Sequence, residues 1–120
     1  MAQQSMAYTR ATVAGDVEIL YNSEYVGDAV TLDTTAFTDG VCKAGTPLDK
    51  DGKLAVTTPA SGETAASSTA VGVLLFDVYG DRPQGTVVIG GYINTSVAQT
   101  HSGVTIDDTA KAAMKNVVFM

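Results

Sequence analysis

The sequence predicts a mainly β protein: a small, compact β domain with one short C-terminal helix and an extended N-terminal arm. Three observations carry this. Val, Thr, Gly and Ala dominate the chain, and β-branched residues suit pleated strands while Gly suits turns and bulges. Val71–Phe76 and Thr86–Ile89 are apolar almost without alternation, as strands buried on both faces must be. Helical spacing appears only near the C-terminus, where Ile106, Ala110, Ala113, Met114 and Val117 share one face. With 120 residues, 45% of them apolar and 17% charged, the chain suffices for one core and is too short for a barrel enzyme.

Residues 1–40 are expected to be an arm with short strands. Met1 to about Thr12 is polar and lacks a sustained pattern. Ile19 lies on a short strand, Asn22-Ser23-Glu24 signals a turn, and Val30 and Leu32 share one face of a second strand. Asp33 to Gly40 reads as a polar connection anchored by Phe37.

Residues 41–120 are expected to form the β domain. Val41–Leu48 and Leu54–Thr57 flank Asp49-Lys50-Asp51-Gly52-Lys53, a hairpin turn with Gly52 at positive φ. Pro47 has no N–H to give a ladder, which places its strand at an edge. Pro59–Thr69 is rich in Ser, Ala, Thr and Gly and reads as a flexible surface loop. The Val71–Phe76 and Thr86–Ile89 strands, if paired, form the centre of the sheet, and Gly90-Gly91 signals a bulge before Tyr92. The one helix starts at a capping signature, Thr105-Ile106-Asp107-Asp108. Asp107 and Lys111 are spaced to pair on its exposed side, and Asn116 is placed to close it. Val117–Met120 resumes strand character, which ties the C-terminus into a sheet.

No motif specifies an enzyme. Asp49-Lys50-Asp51-Gly52 lacks the later ligands of a calcium loop. Gly90-Gly91 has neither the Lys-Ser nor the helix of a phosphate loop, and no serine sits in a GxSxG context. His101 is the one histidine and reads as a solvated loop residue, although Asp107 and Asp108 follow it closely. Cys42, the one cysteine, reads as a small packed side chain and rules out an internal disulfide or a cysteine-rich zinc site. Asn94-Thr95-Ser96 matches a glycosylation sequon. The net charge of −6, taken as spread along the chain, argues against nucleic-acid and anionic-membrane partners. The first residues show no basic region followed by an apolar one, so no secretory signal is expected.

Three runs then carry a resemblance: Lys43-Ala44-Gly45-Thr46-Pro47-Leu48, Asp51-Gly52-Lys53-Leu54 and Ala70-Val71-Gly72-Val73-Leu74. In order and spacing they resemble the lambda-type head decoration proteins of tailed bacteriophages. The later succession of Thr86–Asn94, Asp107–Asn116 and Val117–Met120 is similar too, so the resemblance covers roughly Val41–Met120. The related phage head fibre proteins share an Ala-Gly-Thr-Pro start and a Val-Gly strand. The first forty residues depart from the pattern, with more strand character than a loose arm.

The resemblance implies a β-tulip or sandwich-like domain that assembles as a homotrimer at three-fold positions on an icosahedral head. The partner would be the major capsid protein, and the task would be stabilising the expanded shell against packaged DNA. It implies a protein made in the host bacterial cytoplasm and carried on the outer capsid surface, without cofactor, nucleic acid or membrane. The arm would add backbone hydrogen bonds to a capsid strand. Tyr8, Thr9, Arg10, Ala11, Thr12 and Val13 are the candidates for that contact. The alternative is a head fibre or carbohydrate-binding β module, which needs an exposed aromatic cluster, whereas Tyr8, Tyr21, Tyr25, Tyr79 and Tyr92 are scattered along the chain. A third possibility, a small trimeric nucleotide hydrolase, needs clustered acidic metal ligands and phosphate-binding Gly-Ser motifs, neither of which the sequence shows.

Overall fold

The computed structural model describes residues 18–120. They form nine strands: β1 (Leu20–Thr31), β2 (Val41–Cys42), β3 (Pro47–Leu48), β4 (Thr57–Thr58), β5 (Ser67–Ser68), β6 (Gly72–Leu74), β7 (Val78–Tyr79), β8 (Gln84–Ile93) and β9 (Val117–Phe119). Two helices, α1 (Thr95–Ser102) and α2 (Asp108–Ala113), lie between β8 and β9. The main sheet runs β1-β8-β6-β3, antiparallel throughout, with β9 added parallel to the end of β8.

The two apolar runs do pair at the centre. Val73 faces Val88 and Leu74 faces Val87 across β6 and β8. Because successive strand residues point to opposite faces, these two pairs feed two separate cores. Val73 and Val88 join Ile19, Ile93, Ala98, Ile106 and Met114 beneath the helices. Leu74 and Val87 join Leu32, Ala36, Cys42, Leu48 and Val78 on the other face. Burial on both faces therefore holds for the middle of the Val71–Phe76 run, while Val71 and Phe76 themselves are exposed.

Several local expectations hold. Gly52 has φ +78° in the Asp49–Lys53 turn, where the Asp49 N–H donates to the Lys53 carbonyl. Pro47 lies on an edge strand, and the C-terminus is tied into the sheet by β9. The helix near the C-terminus starts at Asp107, whose Oδ1 accepts from the Ala110 N–H at 2.7 Å.

Others are corrected. A second helix, α1, forms where the sequence pattern points only to a sequon and a loop. Asn94 caps it by accepting from the Val97 N–H, and Gly103 stops it, its N–H returning to the Gln99 carbonyl. Asp107 spends its carboxylate on the cap rather than on Lys111, whose Nζ lies 5.9 Å from the centre of the Phe119 ring. The α2 helix ends at Met114, before Asn116. Val41–Leu48 is not one strand: a turn at Ala44-Gly45 breaks it into β2, paired with β7, and β3, paired with β6. Pro59–Thr69 lies largely within the small β4–β5 hairpin, closed by a Ser61–Thr64 bridge.

Asn22-Ser23-Glu24 does not end a strand. Leu20 faces Ile93 and Tyr25 faces Gly91, so four residues of β1 oppose Tyr92 alone. The turn signal becomes a wide bulge, in which Asn22 Oδ1 accepts from the Glu24 N–H at 3.0 Å. Residues 18–40 are joined to 41–120 through the sheet and both cores, to which they contribute Ile19, Leu32 and Ala36.

Candidate interaction surface

The six arm candidates, Tyr8, Thr9, Arg10, Ala11, Thr12 and Val13, lie outside the described residues. Within them the surface most distinct from an ordinary exterior is built around β1. This strand pairs only with β8 among the described residues, and Tyr21–Ala29 are exposed on both faces.

Its bulge gathers aromatic side chains. Tyr21 and Tyr25 share a groove with Leu20, Leu75 and Phe76, although Phe76 is more than fifty residues away in sequence. Tyr21, Tyr25 and Phe76 remain 56%, 45% and 49% exposed, so this apolar area faces solvent. On the far side of Tyr25 a second groove holds Val26, Ile89, Tyr92 and Asn116. Tyrosines that look scattered in the sequence thus converge on one edge, all except Tyr8, which lies outside the described residues, and Tyr79, which pairs in β7.

Charge is likewise uneven, contrary to the sequence reading. Residues 18–42 carry Glu18, Glu24, Asp28, Asp33 and Asp39 and no basic residue, whereas residues 43–120 carry seven acidic against six basic ones. Among the described residues no Lys, Arg or His lines either groove. Asp33 caps a 3₁₀ turn at Thr34–Ala36, and the hydroxyl and N–H of Thr35 hold its carboxyl below the usual range.

His101 is not a solvated loop residue. It sits in the last turn of α1 with its Nε2 2.8 Å from Asp77 Oδ1, and both side chains are largely buried. The same oxygen accepts from the Ala44 N–H at 2.8 Å. Asp77 therefore joins α1, the β2–β3 turn and the β6–β7 link. Cys42 is buried as expected; burial pushes its thiol up, against a smaller lowering by a hydrogen bond with Thr46. Among the described residues no group of His, Cys, Asp or Glu is arranged to hold a metal ion, and no helix is long and apolar enough to cross a membrane.

Comparison with protein-family models, with curated proteins and with solved structures found no match.

Proposed function

We propose that the chain is a structural virion protein that binds the outside of an icosahedral phage head, as a homotrimer at three-fold positions, and stabilises the expanded capsid. The observation that carries this reading is the succession of elements from 41 to 120. The Pro47–Leu48 strand, a polar turn, the Gly72–Leu74 strand, the long strand Gln84–Ile93, the helix Asp108–Ala113 and the strand Val117–Phe119 follow in the order the resemblance implies, while β7 and α1 are additional to it and a single bridge at Leu54 stands where it implies a Lys-Leu strand. The exposed apolar side chains around β1 add support, because a subunit that assembles with others has apolar area to bury.

In this reading the arm at 8–13 supplies an extended segment to a capsid strand, whose unpaired N–H and C=O groups it satisfies. Three arms on one trimer rebind at high effective concentration, so each contact need only be weak. A protein lacking residues 1–13 tests the mechanism. It is expected to fold normally and to lose head binding; normal binding by the truncated protein rejects the arm mechanism.

A second reading, a carbohydrate-binding module displayed on the virion, is favoured by one observation. Tyr21, Tyr25 and Phe76 share an exposed groove lined also by Glu18, Asn22 and Ser23. Binding to a neutral-glycan array that Y21A and Y25A abolish would select it.

A further inference from the structure

The edge of β1 away from β8, unpaired among the described residues, has a definite hydrogen-bonding polarity. The Leu75 N–H donates to the Thr86 carbonyl, so Thr86 directs its backbone groups toward β6. Ala29 stands opposite Thr86 on the other side of β8, which makes them a non-hydrogen-bonded pair. The N–H and C=O of Ala29 therefore point outward. The same parity holds for Gly27, opposite Val88, and for Thr31, opposite Gln84. Two contacts at the end of the strand agree with it. The Leu32 N–H donates to the Pro83 carbonyl, and the Thr31 carbonyl points outward onto the Gly52 backbone. The outward groups of Gly27 and Ala29 have no hydrogen-bond partner among the described residues.

Among the described residues this edge is protected only by its bulges and by acidic side chains. No Lys, Arg or Pro occurs between Leu20 and Thr31. Its charges are Glu24 and Asp28, both exposed, and the facing strand Gln84–Ile93 has no charged residue at all. Beside it lies the groove of Tyr21, Tyr25, Leu75 and Phe76.

We propose that the outer edge of β1 receives an added strand from another protein, an extended segment bearing Lys or Arg, which hydrogen-bonds to Gly27 and Ala29. The cationic side chains would meet Glu24 and Asp28, and an apolar side chain of the segment would enter the Tyr21–Phe76 groove. The proposal stands apart from the head-binding reading: the receiving edge belongs to β1, whereas the arm of that reading is the donor at 8–13.

Amide hydrogen exchange on the full chain tests it, with two synthetic ten-residue probes of alternating valine and threonine, one carrying two lysines and the other two glutamates. The lysine probe is expected to slow exchange at Gly27 and Ala29 and to bind at least tenfold more tightly than the glutamate probe. Ala29→Pro removes the outward N–H while sparing the β8 ladder, and is expected to weaken the lysine probe at least tenfold. E24Q with D28N is expected to remove the preference between the probes, which keeps the test decisive should the proline variant misfold. Binding without protection of Gly27 and Ala29 overturns the proposal, as does no binding at all. Protection of these amides that grows with protein concentration alone means a second copy fills the edge. Protection already present and lost on deleting residues 1–17 means the chain's own N-terminal segment does so. Either result also overturns the proposal.

Discussion

Asp77 and His101 meet at 2.8 Å, and the Asp77 oxygen in that contact also accepts the Ala44 N–H. One carboxylate thus holds a helix end and a turn together. Asp77→Ala leaves the Ala44 N–H and the His101 ring without their partner, and an unsatisfied buried group costs about 1–3 kcal/mol. The expected loss in urea denaturation is about 2 kcal/mol for D77A and less for D77N, which keeps an acceptor. His101→Ala is expected to cost about 1 kcal/mol, since Asp77 retains the Ala44 bond. Equal, negligible losses for all three would show that the contact does not contribute.

Leu74 and Val88 lie on adjacent central strands and face opposite cores, both fully out of solvent. Leu74→Ala is expected to cost about 3 kcal/mol through lost transfer energy and the cavity left behind. Val88→Asp places an unpaired charge in the core beneath the helices and is expected to abolish folding. Circular dichroism and thermal melting check both; a folded V88D protein would contradict the packing.

How far the fold is legible follows from which signals are local. The central pair is readable because Val71–Phe76 and Thr86–Ile89 lack alternation, and α2 because Asp107 begins a clear apolar face. The α1 helix is hidden because Thr95–Ser102 is rich in Thr and Ser and buries Ala98 alone. Its signals were the cap Asn94 and the stop Gly103, which bracket eight residues. Asn22-Ser23-Glu24 correctly marks a departure from regular pairing, but only the facing strand decides between a turn and a bulge. The aromatic groove and the Asp77–His101 contact are invisible for another reason: they join residues such as Tyr21 with Phe76, brought together by the sheet and not by spacing.

Gly45 explains why the Val41–Leu48 run is broken. Its φ is +94°, and a Cβ there would stand 2.5 Å from the Ala98 carbonyl oxygen of α1. Strain at such a position costs on the order of 1–3 kcal/mol before any clash with the helix backbone. Gly45→Ala is therefore expected to lower stability by at least about 2 kcal/mol and to shift α1 resonances in NMR spectra. A neutral substitution would contradict this close approach.

Cys42 is the one thiol, and burial holds it protonated to higher pH than in the unfolded chain. A group of this kind supports folding fully below the unfolded value of about 8.5, and that support declines as pH rises toward the folded value. A thiol-specific reagent at pH 8 is expected to modify the native protein slowly and the urea-unfolded protein at once. Cys42→Ser is expected to flatten the alkaline decline in stability. Rapid modification of the native protein would contradict the burial of this side chain.

The head-binding reading is tested most directly by mass. Light scattering gives the size of the chain alone, and sedimentation after mixing with expanded empty phage heads gives the bound ratio. Saturable co-sedimentation at three copies per three-fold position is the predicted result. A stable monomer that leaves every head bare would contradict it.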